Sequence, residues 1–243
     1  MSFYIFDFLL LIFVLKNKFF AFIERRLNDE PIAYIIGKKE FYGYELKVDK
    51  NVLIPRPETE LIVDFIVEST KKMPIKTILD LGCGSGNISI AIAKQLIEVD
   101  IIAVDFSEKA IKIAKSNAKI HQCQKQIKFI ISNWFKELQM VEYDVIISNP
   151  PYVSKDEVDL MSKETLNHEP SEALFAENGG IKAYEEIISN AYRFLKKEGM
   201  LVFEIGFNQA QRISKIAEKY NFYRAQLIKD MNHLDRVLVF RKY

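Results

Sequence analysis

Beyond Lys76 the chain switches repeatedly between two hydrophobic periods. Compact apolar runs at Thr77 to Leu81, Asp100 to Val104, Ile127 to Ile131 and Tyr143 to Ile147 predict strands, and the last has the character of a buried parallel strand. Between them the spacing is helical. Asn87 to Leu96 places Ile88, Ala91 and Ile92 on one face, and Ser107 caps a second helix running to about Ile120. A third helix is predicted over Lys182 to Lys196, with basic residues in its last turn that suit the dipole and Gly199 as its end. A strand over Met200 to Ile205, a helix over Gln209 to Tyr220 and a final strand over Val237 to Arg241 follow. Such alternation predicts an α/β fold, a doubly wound and mostly parallel sheet.

The chain before Lys76 follows another pattern. Phe3 to Leu15 is almost wholly apolar, interrupted only by Asp7. At about 1.5 Å per residue a helix over this run reaches about 20 Å, short of the ~30 Å hydrocarbon core of a bilayer. Lys16 and Lys18 follow the run rather than precede it, and bulky Phe19 and Phe20 come next, which is not the layout of a secretory signal. The expectation is a buried or partner-facing helix, not a membrane anchor. The polar stretch Glu24 to Pro31 marks a boundary. Alternating runs at Ile32 to Ile36 and Tyr44 to Val48, punctuated by Gly37 and Gly43, predict a β-hairpin. Pro57 then suits the first turn of a helix with Leu61, Ile62, Phe65 and Ile66 as its apolar stripe.

Composition narrows the class. A chain of 243 residues accommodates one large domain, or one domain with a small appendage. Hydrophobic residues at 49% and charged residues at 28% fit an ordinary soluble globular protein. The formal net charge of +1 lacks the basic excess of proteins that grip nucleic acid through its phosphates, so stable nucleic-acid binding is not expected. Cys83 and Cys123 form no Cys-x-x-Cys pair, and His121, His168 and His233 are far apart. Neither a zinc site nor a disulfide framework is visible, and a reducing cytoplasm is the simplest compartment.

The chemistry concentrates in loops at strand ends. Gly82-Cys83-Gly84-Ser85-Gly86 joins the first strand of the alternating series to its first helix. There glycine admits positive φ and close approach of a ligand, and helix amides favour a negative group. The Gly-x-Gly-x-Gly spacing differs from the dinucleotide Gly-x-Gly-x-x-Gly, and Asp80 precedes it. Asp105 ends the next strand, where a carboxylate can accept both hydroxyls of a ribose. Asn133-Trp134-Phe135 follows the third strand, and Trp134, the only tryptophan, either packs against an adenine or belongs to the core. Cys83 reads as a small loop residue, since no general base for a nucleophile is identifiable.

Ser148-Asn149-Pro150-Pro151-Tyr152 follows the strand at Tyr143 to Ile147. The two prolines stop ladder and helix alike and form a stiff corner. Asn149 offers an amide oxygen and an NH2, Pro150 a carbonyl outside any helix, and Tyr152 a flat aromatic face. Together they suit a planar amide or amino group. The plainer alternative is a proline-rich loop that merely ends a strand.

Glycine loop, spaced aspartate and late Asn-Pro-Pro-Tyr together resemble a class I S-adenosylmethionine-dependent methyltransferase. Four blocks sharpen the resemblance: Arg25-Arg26 with Glu30-Pro31-Ile32-Ala33-Tyr34-Ile35-Ile36-Gly37, then Leu53-Ile54-Pro55-Arg56-Pro57-Glu58-Thr59-Glu60, Asn149-Pro150-Pro151-Tyr152, and Glu169-Pro170-Ser171-Glu172-Ala173-Leu174. In this order they resemble the release-factor glutamine N5-methyltransferases, the HemK/PrmC family, over residues 24–243, with further similarity at Glu204-Ile205-Gly206, Gln209, Asp230 and Arg236. The resemblance implies a seven-stranded Rossmann-like sheet. It implies a short N-terminal helical segment over 1–30, a β-hairpin linker over 31–56 and a methyltransferase domain over 57–243. S-Adenosyl-L-methionine is the implied methyl donor, and class 1 peptide chain release factors are the implied partners. The implied acceptor is the glutamine of their Gly-Gly-Gln motif. Asn149 and the Pro150 carbonyl would hold its amide, with Pro151 in the same corner and Tyr152 beside it. Asp80 would sit near the methionine amino group. Gly82, Cys83, Gly84, Ser85, Gly86, Asp105, Asn133, Trp134 and Asn149 would contact the donor or line its pocket.

An amide nitrogen is a poor nucleophile, whereas a sulfonium methyl is already activated. Alignment and exclusion of water are therefore the expected tasks of such a site, without a covalent intermediate. Two departures stand out from the family pattern. Asn133 stands where the family usually carries an adenine-binding Asp, which predicts weaker donor binding rather than its loss. The stretch before Arg25 is short beside the family's longer helical bundle, which helps dock the release factor. Arg56 and Glu60 either brace the substrate loop or form surface ion pairs. Glu169 either orders the loop after Tyr152 or is a helix-terminal carboxylate. His168 reads as a bystander. Two other functions fit the same corner: an amino-methyltransferase of adenine or guanine after base flipping, and an inactive cofactor-binding module.

Overall fold

The computed structural model describes residues 2–242, with side chains described from Phe13 onward except at positions 14 and 160. Helix α1 (Ser2–Leu27) leads into α2 (Ile32–Ile36) and an antiparallel hairpin of β1 (Lys38–Phe41) and β2 (Tyr44–Lys47). Tyr42 and Gly43, both at positive φ (51° and 76°), make its two-residue turn. A 3-10 turn at Pro57–Thr59 then starts α3 (Glu60–Thr70). The alternating half follows as β3 (Thr77–Leu81), α4 (Asn87–Gln95), β4 (Asp100–Asp105), α5 (Glu108–Ile120), β5 (Ile127–Ile131) and β6 (Tyr143–Ser148). Three short helices, α6 (Lys163–His168), α7 (Ser171–Leu174) and α8 (Glu177–Gly180), precede α9 (Lys182–Phe194). The chain closes with β7 (Leu195–Glu204), α10 (Ala210–Lys219), β8 (Phe222–Lys229) and β9 (Asp235–Lys242).

The large sheet has seven strands in the order β5-β4-β3-β6-β7-β9-β8, parallel except where β9 runs antiparallel to both its neighbours. Alternation along each central strand sends neighbouring residues into two separate cores. Ile78, Val145, Ile147, Val202 and Val239 face α3, α4 and α5, where Ile62, Ile66, Ala91 and Ala114 meet them. Leu79, Leu81, Ile146, Leu201, Phe203 and Leu238 face α9 and α10, where Tyr184, Ile187, Ile188 and Ile213 meet them. Most of these are fully buried, each stabilising the fold by about 1.5–3 kcal/mol relative to exposure. The doubly wound α/β expectation holds, and Ser107 caps α5 by accepting from the Ala110 amide at 3.2 Å.

Three expectations are corrected. Ile32 to Ile36 is a helix, not the first hairpin strand. Adjacent Tyr34 and Ile35 are both buried, which an alternating strand would forbid, and the Tyr34 hydroxyl donates to the Val52 carbonyl at 2.6 Å. Gly37, at φ 75°, closes that helix. Gly199 does not end α9, because Phe194 does and Leu195 already pairs with Tyr143 in the sheet. Strand β8 went unpredicted. It lies at the sheet edge, where only Phe222 is buried and the other side chains are exposed or half-buried and carry no apolar period. As for α1, Phe13, Phe19 and Phe20 are exposed, so that part of the helix is not buried in this chain, and the earlier side chains of the Phe3 to Leu15 run lie outside those described, apart from Leu15, also exposed. Among the described residues, no helix is long and apolar enough to cross a membrane.

Candidate functional site

Strand order reverses between β3 and β6, where one crossover leads to β4 and the other to β7. Leu81 at the end of β3 is in register with Ser148 at the end of β6, and the Ser148 hydroxyl donates to the Leu81 carbonyl at 2.7 Å. The glycine loop and the Asn-Pro-Pro-Tyr corner therefore leave the sheet side by side. A crevice is expected at such a switch point, and a cleft of ≈ 550 Å³ opens there. Gly82, Cys83, Gly84, Ser85, Asp105, Asn133, Trp134, Asn149 and Pro151 are all in its wall. Gly86, Pro150 and Tyr152 are not.

Gly82, Gly84 and Gly86 have φ of 76°, 53° and 81°. A side chain at any of them would be strained. The Gly82 and Cys83 amides donate to the Val104 carbonyl at 2.8 and 2.9 Å, which folds the loop back over β4. Asp105 takes the Gly84 amide on Oδ2 and the Ser107 amide on Oδ1, each at 2.9 Å. Burial pushes its carboxyl up, while the Ser107, Gly84 and Phe106 amides pull it down. Cys83 is buried, and burial with nearby Asp80 and Asp105 holds its thiol well above the usual range, which suits a small loop residue and not a nucleophile.

Two buried oxygens in this region have no partner among the described residues: Asp80 Oδ1 and Ser85 Oγ. The other Asp80 oxygen accepts the Ser89 hydroxyl. Burial pushes the Asp80 carboxyl up to about 7, against the Ser89 hydroxyl and with Asp105 adding to the rise. An unsatisfied buried carboxylate oxygen is a receptor for a cation or a proton.

Trp134 adopts φ 51°, its carbonyl accepts the Ser132 hydroxyl at 2.9 Å, and its indole N–H donates to Glu186 at 2.9 Å. Its ring lies 3.6 Å from where a Gly82 Cβ would stand. The ring is thus half-buried, packed on the α9 side of the core and exposed to the cleft, so both readings of the sequence describe part of it. Asn133 beside it is exposed.

The corner is held from behind. Asn149 Nδ2 donates to Thr59 Oγ1 at 3.3 Å, and the Thr59 hydroxyl donates to Glu204 Oε2 at 2.6 Å. Pro150 is buried, and among the described residues nothing donates to its carbonyl. Tyr152 packs against the core shared with Tyr184. Its carbonyl accepts Gln209 Nε2 at 2.8 Å, while Gln209 Oε1 takes the Gly206 amide at 3.0 Å. Gly180 (φ 78°) passes so close that a Cβ there would stand 2.0 Å from the Tyr152 carbonyl oxygen. Asp230 and Arg236 pair at 3.0 Å, and the arginine reaches the Ile205 carbonyl at 3.4 Å.

Arg56 and Glu169 form an ion pair, and Glu169 also accepts the Ile54 amide at 3.1 Å. Glu169 therefore orders the loops after Ile54 and after Tyr152 at once. Glu60 braces the hairpin turn instead, accepting the Tyr42 amide at 2.8 Å. His168 lies in the cleft wall with Nε2 3.0 Å from the Asn28 carbonyl, tying α6 to the chain after α1. Asn117 escaped the sequence reading. Fully buried on α5, it exchanges both backbone hydrogen bonds of Lys47 and donates to the Ser85 carbonyl at 2.9 Å, clamping the hairpin to the glycine loop. Its one sequence signal is an amide at an inward position among Ala110, Ile111, Ala114 and Ala118.

Comparisons with known proteins give the relatives of this chain. A family model described as "Methyltransferase domain" matches residues 73–241. A bifunctional methyltransferase of Rickettsia prowazekii is 44% identical over 89% of this chain, which spans only 45% of that protein's length. A release factor glutamine methyltransferase of Thermodesulfovibrio yellowstonii is 39% identical over 91% of this chain and 80% of its own. Among solved structures, a methyltransferase from Pyrococcus furiosus superposes with a TM-score of 0.61 at 17% identity, covering 90% of this chain and 96% of that one, which speaks for the fold alone.

Proposed function

Since the chain belongs to the release factor glutamine methyltransferase family, we propose that it methylates the side-chain amide nitrogen of the glutamine in the Gly-Gly-Gln motif of class 1 peptide chain release factors, with S-adenosyl-L-methionine as donor. The observation that carries this reading is the shared cleft, into which the glycine loop and a braced Asn149 both open.

The residues present fit such a donor. Asp105 suits ribose hydroxyls and Trp134 with Asn133 suits adenine, all three in the cleft wall. Asp80, fully buried just before the glycine loop and outside that wall, adds an unpaired carboxylate oxygen behind it that favours a cationic donor. When bound, the donor supplies a methyl on a positively charged sulfur, which leaves as a neutral thioether. Asn149 Oδ1 and the Pro150 carbonyl, both without donors among the described residues, accept the two N–H bonds of the glutamine amide. They orient the nitrogen and stabilise the positive charge that develops on it. The amide N–H becomes acidic once the carbon–nitrogen bond forms, so its proton passes to water without a strong base beforehand. Tyr152 and Gln209 keep the corner rigid.

The test offers labelled S-adenosylmethionine with purified release factor, its Gly-Gly-Gln→Gly-Gly-Ala variant and ribosomal RNA side by side. Label on the wild-type factor alone supports the reading. Label on RNA alone would replace it with nucleic-acid amino-methylation.

A further inference from the structure

We propose that Thr59 and Glu204 are positioning residues that fix which end of the Asn149 side-chain amide faces the cleft. The proposal rests on the glutamine-methylation reading and deepens it.

Glu204 ends β7, beside β6, the strand that leads into Asn149, and is 1% exposed. An ionised carboxylate only accepts hydrogen bonds. Thr59, equally buried, has one hydroxyl hydrogen and spends it on Glu204 Oε2 at 2.6 Å. The Thr59 oxygen then has only lone pairs to offer, so the Asn149 group 3.3 Å away must be the NH2. The amide is planar, with oxygen and nitrogen directed apart. Oδ1 is thereby left for the cleft, and among the described residues it accepts no hydrogen bond. The opposite orientation would turn an NH2 toward the N–H bonds of an incoming glutamine amide, donor against donor.

The direction of this relay depends on the charge of Glu204. Once protonated, Glu204 can donate to Thr59, the Thr59 hydrogen is released toward Asn149, and the amide is free to turn over. Arg236 faces Glu204 from β9, Glu58 from the turn before α3, Tyr152 from the corner and Tyr184 from α9. Burial pushes the carboxyl up to about 7, the Thr59 hydrogen bond and the Arg236 charge oppose this, the Glu58 charge adds to it, and a hydrogen bond from the Asn149 side chain opposes it, so the Asn149 NH2 faces Glu204 as well as Thr59. Turnover should therefore rise with pH through this ionisation.

The experiment combines Thr59→Val, Thr59→Ser, Glu204→Gln and the double variant T59V/N149A with wild type, with Thr59→Ala used if the valine variant does not fold. For T59V the expected result is a kcat about 10- to 100-fold lower, with KM for the release factor and Kd for S-adenosylmethionine within about twofold of wild type. T59S restores kcat to within about threefold, and T59V/N149A is no slower than N149A alone. Glu204→Gln flattens the rise of kcat with pH. A readout independent of the acceptor is the Asn149 side-chain NH2 in a 1H–15N spectrum. It should be protected from exchange in wild type and lose protection in T59V. A folded T59V with wild-type kcat, a double variant whose loss is the product of the single losses, or unchanged Asn149 protection in T59V each overturns the proposal. If wild type leaves the release-factor glutamine unmethylated, the functional reading fails, and the NH2 measurement still decides the positioning claim.

Discussion

Arg56 and Glu169, 113 positions apart, close one side of the cleft as an ion pair in which the glutamate side chain is 1% exposed and the arginine side chain 34% exposed. The prolines on either side of Arg56 hold its loop extended, and Pro170 follows Glu169. Arg56→Ala would leave a buried carboxylate with the Ile54 amide as its one hydrogen-bond partner among the described residues. The expected loss is about 2–3 kcal/mol in urea unfolding, below that of a fully buried pair because solvent screens the arginine. Arg56→Lys should recover part of it.

Gly180→Ala tests the rigidity of the corner. The new Cβ would stand 2.0 Å from the Tyr152 carbonyl oxygen and 2.7 Å from Gln209 Nε2, at a backbone φ of 78°. Strain and displacement together should cost about 2–4 kcal/mol of stability. Because the glycine loop is untouched, calorimetric binding of S-adenosylmethionine should survive at a temperature where the variant stays folded, while methyl transfer falls.

Asn133→Asp should tighten binding of S-adenosylmethionine by about 3- to 10-fold near neutral pH, because a charged acceptor makes a stronger hydrogen bond than an amide oxygen. Titration calorimetry reads this directly. Unchanged or weaker affinity would mean that the adenine amino group is not held at this position.

Asp80 and Glu204 both have carboxyls pushed up to about 7 by burial. In the unfolded chain such groups ionise near about 4. Between those values the folded state holds protons that the unfolded state has released, so stability falls as pH rises. Their contribution is complete below the unfolded value and lost as pH passes the folded one. Denaturation midpoints should therefore decline between about pH 4.5 and pH 7.5, and Asp80→Asn or Glu204→Gln should each flatten the decline. Asp144 acts in the opposite sense at lower pH. Burial raises its carboxyl, but the Lys196 ammonium and the Lys76 and Thr77 donors outweigh this and hold it below the usual range.

Most directly legible in the sequence were the central strands buried on both faces, such as Thr77–Leu81 and Tyr143–Ser148, because dense apolar runs report burial directly. The edge strand β8 was not, since solvent on its outer side leaves no period to read. Ile32 to Ile36 misled because five apolar residues between a proline and a glycine satisfy a strand or a single helical turn equally. At the site, the glycine loop, Asp105, Trp134 and Asn149 were legible because their chemistry sits in contiguous stretches. Thr59, Asn117 and Gln209 were not assigned their parts. Their partners are Glu204, Lys47 with Ser85, and Tyr152 with Gly206, and most of these are far away in sequence. Only the folded sheet brings them together.

The most direct test of the account is the single-turnover rate of methyl transfer to release factor by Asn149→Ala, with factor and S-adenosylmethionine both saturating. Positioning by Asn149 predicts a rate at least about 100-fold below wild type, with the methyl in the wild-type reaction mapped by mass spectrometry to the Gly-Gly-Gln glutamine. A near-normal rate, or a methyl on any other residue, would contradict it.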